Sequence, residues 1–195
     1  MKYNFLEQLN KDESNYQLGQ RSGFFKIEEG DNKIRILSPS ISIAQHFQGK
    51  KERPAICGGD NCSFNHKESP PQIKWLVYLW DYKDNKVKLA RLPYTVIKAI
   101  AGFQQNPEYA FEDVPMPYDV TIQAKGAGTK EVAYTIIPAR QNSPVSEEAL
   151  NDLAGRKNIL EVVDSMKNKA AKETQNDKLN EELQEVAEID VETMF

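Results

Sequence analysis

The run Ile73-Lys74-Trp75-Leu76-Val77-Tyr78-Leu79-Trp80-Asp81-Tyr82 is the most strand-like stretch of the chain. It is rich in aromatic and branched residues, and Lys83-Asp84-Asn85 follows it as a turn before a second apolar run, Val87 to Leu92. The pair predicts a hairpin. Alternation divides the first strand into a face with Lys74, Leu76, Tyr78, Trp80 and Tyr82 and a face with Ile73, Trp75, Val77 and Leu79. The second face is apolar enough to be core.

Upstream, Phe24 to Glu28 and Lys33 to Leu37 flank Gly30-Asp31-Asn32 and predict another hairpin, with Ile41 to Phe47 as a further strand. Downstream, Pro93 opens a helix over about Tyr94 to Phe103, and Val96, Ile97, Ile100 and Phe103 recur at helical spacing. A third hairpin is expected from Tyr118 to Ala124 and Val132 to Ile137, around a turn containing Gly126 and Gly128. The fold class is therefore read as mainly β: a small antiparallel barrel of the oligonucleotide-binding (OB-fold) kind, with an inserted loop and a short helix. Ser146 with Glu147 and Glu148 has the form of a helix start, and helix is expected to about Met166 with a break at Gly155. The divisions are an arm (1–20), a core (21–145) holding the loop 46–66, a helical segment (146–169) and an acidic tail (170–195).

The 195 residues carry a formal net charge of −4, which averages two unlike parts. Residues 1–145 hold 19 basic and 16 acidic residues, whereas residues 146–195 hold 6 and 13. Residues 21–98 alone hold 14 basic against 8 acidic. Leu179 to Phe195 has six acids and no base, a composition expected to be disordered when free. No apolar run is long enough to span a membrane, and the start Met1-Lys2-Tyr3-Asn4 does not open an apolar signal region, so a soluble cytoplasmic protein is expected.

All Cys and His residues of the chain, His46, Cys57, Cys62 and His66, fall within 21 positions. Four such nitrogen and sulfur donors suit a tetrahedral Zn2+ site, and the long polar loop around them needs a staple to offset its ordering entropy. With four protein ligands the site would be structural, without an open position for substrate. Free thiols and surface histidines are the alternative. No phosphate-binding Gly-rich loop, nucleophile elbow or His-Glu-x-x-His motif occurs, and no enzymatic activity is expected.

On the first face of the long strand, Tyr78, Trp80 and Tyr82 stand beside Lys74, and the next strand adds Lys86, Lys88 and Arg91. Aromatic rings beside cations suit single-stranded nucleic acid, whose unpaired bases are free to stack. Lys33 and Arg35, assigned to the solvent face of their strand, extend the candidate surface, as do Lys50, Lys51 and Arg53 in the loop and Lys125 and Lys130 around the Gly-rich turn. Glu188, Asp190, Glu192 and Phe195 form an acidic tip with an aromatic end, suited to a basic, hydrophobic pocket on a partner. The rival to nucleic-acid binding is a zinc-stapled protein–protein adaptor using Trp80 and its neighbours as a partner patch.

The segment Gly30-Asp31-Asn32-Lys33-Ile34-Arg35-Ile36-Leu37, the His and Cys loop, the aromatic strand, the ending Tyr134-Thr135-Ile136-Ile137-Pro138-Ala139-Arg140 and the acidic tail together resemble a known family. It is that of the zinc-containing single-stranded DNA-binding, or helix-destabilising, proteins of tailed bacteriophages of the T-even type. The resemblance covers roughly residues 20–145 and the tail. It implies an OB-fold that coats single-stranded DNA in phage DNA replication, recombination and repair in the infected bacterial cell. It further implies self-association on the strand and recruitment of phage or host replication and recombination proteins by the tail. The T-even pattern has one His and three Cys, so the set here is a His2Cys2 variant.

Overall fold

The computed structural model describes residues 24–47, 54–59 and 62–169. The N-terminal arm, Lys50, Lys51, Arg53 and the acidic tail with Glu188, Asp190, Glu192 and Phe195 lie outside the described residues. The elements are β1 (Phe24–Phe25), β2 (Gly30–Ile36), β3 (Ile41–His46), β4 (Ala55–Ile56), β5 (Gln72–Asp81), β6 (Lys86–Leu92), α1 (Tyr94–Gln104), β7 (Val120–Lys125), β8 (Ala133–Pro138), α2 (Glu147–Ala154) and α3 (159–169).

The long strand β5 organises the sheet. It pairs antiparallel with β6 from Trp75↔Leu92 to Asp81↔Lys86. On its other edge it takes β2 near its end and β3 near its start. Between Ile36↔Leu79 and Ile41↔Leu76 the register shifts by two residues, so β2 and β3 are one path interrupted by a bulge at residues 37–40. Pro39 has no N–H for the ladder, and Ser38 Oγ instead accepts the Tyr78 N–H at 2.9 Å. β7 pairs with β2 from Gly30↔Ala124 to Ile34↔Val120, and β8 closes the β7 hairpin.

Among the described residues the result is an open, mixed eight-stranded sheet with three short helices, where a closed antiparallel barrel was expected. The reason is at the β6 edge. Phe24 and Phe25 pair there in parallel with Leu89 and Ala90, and among the described residues β8 bonds only to β7. The expected first hairpin is thereby replaced. The Asn32 side chain accepts the Glu28 N–H and donates to the carbonyls of Glu28 and Gly30, closing a turn that sends the two flanking segments to different partners.

Both faces of β5 are buried. Val77 and Leu79 join Ile34, Ile36, Ala90, Leu92, Val120 and Ile122, with Val96 and Ile100 of α1 packed on them. Leu76, Tyr78 and Trp80 join Leu37, Ile43, Val87 and Leu89 in a second cluster, covered by Ala149 of α2 and by Ile159 and Val163 of α3. The helical segment is broken at Gly155 as its sequence implies, with the Ser146 hydroxyl accepting the Ala149 N–H at the start of α2. Asp152 of α2 then accepts the Val87 N–H at 2.7 Å and so fastens the helices to the hairpin. No helix among the described residues is long and apolar enough to cross a membrane.

Candidate functional site

The end of β3 places His46 at the mouth of the long loop, fully buried. Its Nδ1 is 2.7 Å from the Ser69 carbonyl, so the ring N–H is directed there and Nε2 faces the thiols. Phe64 stacks on the same ring at 4.6 Å. The Cys57 N–H bonds to the Ala44 carbonyl at 2.9 Å, which fixes one thiol beside β3, and Gly59, at φ +66°, lets the chain turn back to Cys62. Cys62 Sγ lies 3.2 Å from His46 Nε2, and Cys57 Sγ lies 3.4 Å from His66 Nε2.

The four donor atoms all lie within 4.8 Å of one another. A tetrahedral zinc ion, with bonds of about 2.3 Å to sulfur and about 2.0 Å to nitrogen, holds its donors at separations of this order. Burial pushes the Cys57 thiol up. Burial acts the same way on Cys62, but the Phe64 N–H, the His66 ring, the Gly58 N–H and the Cys57 thiol outweigh it and bring Cys62 down to about 6. These hydrogen bonds favour the thiolate of Cys62, the form a metal takes. The His2Cys2 cluster fits a metal ion in ligand type, spacing and histidine orientation.

The expected aromatic face is not open. Tyr78 and Trp80 are 7% and 4% exposed, because α2 and α3 lie on them. Tyr82 is half-buried and donates its hydroxyl hydrogen bond to Asp119, and burial with that bond pushes its pKa up to about 12.

Arg35, expected on the solvent face, is 1% exposed. Its guanidinium bonds to Asp119 at 2.5 Å and to the Ser143 carbonyl at 2.8 Å. Two features send it inward: a carboxylate 84 positions away, and the bare carbonyls of the segment leading to α2. Lys33 remains exposed but pairs with Asp119 at 2.9 Å and lies 4.3 Å from the Tyr82 ring centre. Lys88 pairs with Asp81 and Asp84, and Arg91 is half-buried over Phe24.

Lys74, Lys86, Lys125 and Lys130 make no ion pair among the described residues, but they do not converge. The loop carrying Lys125 and Lys130 meets the start of β2, where Glu29 accepts the Gly126 and Ala127 N–H groups. The metal cluster lies at the other end of the β2–β3 path. The structure instead brings out two residues not singled out as binding groups in the sequence: Trp75, half-buried, and Tyr94, exposed, with ring centres 5.9 Å apart. Little in the sequence marks them, because Trp75 continues the apolar alternation of Val77 and Leu79; the one available signal is Tyr94, an aromatic directly after Pro93 at the start of a helix. Comparisons of the chain with protein families, curated proteins and solved structures find no match in any of the three.

Proposed function

We propose that this chain is a non-enzymatic single-stranded DNA-binding protein whose metal loop is a structural, zinc-bound wall of the binding surface. The observation that carries this reading is the strand connectivity. The β2–β3 path, β5 and β6 form a meander, α1 follows, and β7 and β8 return beside β2. That order supports a likeness to an oligonucleotide-binding barrel, here left open between β6 and β8 among the described residues; in such barrels the loop between the first two strands contributes to the ligand site. Here that loop carries His46, Cys57, Cys62 and His66. The basic surplus of residues 21–98 supports the same reading, since phosphate neutralisation supplies most non-specific affinity. Roles in phage replication, recombination and repair, with the tail recruiting partner proteins, belong to this proposal through the family resemblance.

The adaptor reading needed an exposed patch around Trp80, and that surface is under α2 and α3. The test is fluorescence anisotropy of end-labelled oligo-dT titrated with the full chain at about 50 and 200 mM salt. Binding that weakens with salt, and that duplex DNA competes for poorly, is expected. No binding at the lower salt overturns the proposal.

A further inference from the structure

Two aromatic rings near the start of β5, the strand that follows the metal loop, stand outside both hydrophobic clusters. Trp75 is half-buried and Tyr94 is 57% exposed, their planes are inclined at 38°, and neither belongs to either hydrophobic cluster. Register explains why they stay open. Trp75 shares a face of β5 with Val77 and Leu79, but its neighbour across β3 is Ser42, small and exposed, so no side chain there covers the indole. Its neighbour across β6 is Leu92, after which Pro93 starts α1 and brings Tyr94 alongside. Ile73, 46% exposed, continues the same face toward β3, where Ala44 is its partner and His46 stands two residues on.

The strand segments that meet at Trp75 carry no acid. Residues 32–47, 69–80 and 85–107 contain no acid; Lys88 is paired with Asp81 and Asp84 toward the other end of the hairpin, and Lys98 is the cation beside the rings. In a chain with 29 acidic residues, the three segments that meet at Trp75 are free of them. Lys98, one turn along α1, places its Nζ 5.7 Å from the Tyr94 ring centre. Such a cation above an open ring is the arrangement that accepts a stacked base with its phosphate nearby. A duplex does not suit it, because paired bases keep their faces in the helical stack.

We infer that Trp75 and Tyr94 are the base-stacking platform of the single-strand site and that Lys98 holds the adjacent phosphate. This rests on the single-strand-binding reading above. It moves the contact surface from the outer face of β5 and β6, closed by helices, to the end of the sheet between α1 and the metal loop.

The chain has two tryptophans, and Trp80 is buried, so the indoles can be read separately. In Trp80→Phe, oligo-dT is expected to quench Trp75 emission in step with the anisotropy of labelled oligo-dT. The complementary Trp75→Phe, which keeps Trp80, is expected to bind with nearly unchanged emission, and it supplies the same comparison if Trp80→Phe does not fold. Tyr94→Ala and Trp75→Leu are each expected to lose about tenfold in affinity at constant salt. Lys98→Gln is expected to reduce the slope of log affinity against log salt by about one. Anisotropy changes with undiminished affinity in Tyr94→Ala and Trp75→Leu overturn the platform and leave the single-strand reading standing. No anisotropy change with the unaltered chain overturns both.

Discussion

The Arg35 guanidinium and the Asp119 carboxylate meet at 2.5 Å inside the protein, joining β2 to the residue that precedes β7. The same guanidinium holds the Ser143 hydroxyl and carbonyl, so one side chain also anchors the segment that leads to α2. Removing one partner leaves a buried charge without compensation. Asp119→Ala is expected to lower stability by about 3–5 kcal/mol, and an apolar replacement of both residues to restore much of it. Urea unfolding of the single and double variants checks this.

Asp119 also sets an acid limit. Burial would raise its pKa, but the hydrogen bonds from Lys33, Tyr82 and Arg35 overcome that and hold it below the ordinary carboxylate value. A carboxylate depressed in the folded state contributes stability above its unfolded value, about 4, and loses it as pH falls through the folded value. The melting temperature is therefore expected to drop steeply below about pH 4, and Asp119→Asn to show a shallower drop over the same window.

The metal cluster makes a separate prediction. Elemental analysis is expected to give one zinc per chain, Co2+ to produce thiolate-dependent visible absorption, and Cys57→Ser or Cys62→Ser to abolish both signals. Because neither core cluster contains a ligand residue, chelation is expected to raise hydrogen exchange in residues 55–69 while Val77, Leu79 and Ala90 stay protected.

The two exposed and buried aromatic sets differ in what they stabilise. Trp80→Ala removes the centre of the second cluster and is expected to cost about 3–5 kcal/mol, whereas Tyr94→Ala is expected to change stability by less than about 0.5 kcal/mol. Thermal melts of the two variants decide it.

A chain ending at Ser143 would uncover Leu76, Tyr78, Trp80 and Leu89 together. Strong binding of a hydrophobic dye and concentration-dependent aggregation are expected, unlike the full chain. Equal dye binding by the two would show that α2 and α3 are not the cover of that face.

What was legible in the sequence was local. The β5–β6 hairpin, α1, the β7–β8 hairpin, the Ser146 start and the Gly155 break each follow from neighbouring residues. The His2Cys2 set was equally visible, because its members are close in sequence as well as in space. What the sequence misplaced depended on partners far along the chain. Alternation correctly separated Tyr78 and Trp80 from Val77 and Leu79, but it could not say that helices beyond residue 146 would cover the first pair. Arg35 reads as a surface cation until Asp119 is brought to it by β7. Trp75 reads as core because it has the parity of Val77, and only the length of β5 beyond the cluster shows otherwise.

The bulge at residues 37–40 keeps two distant regions in phase. Its two extra residues are an even number, so Ile36 in the first core and His46 at the metal cluster remain on one side of the same path. Inserting or deleting a single residue there would rotate β3 by half a period, turning Gln45 toward Cys62 and His46 away from it. The β2–β3 path thus acts as a ruler whose parity, rather than length, decides whether the four donor atoms can converge.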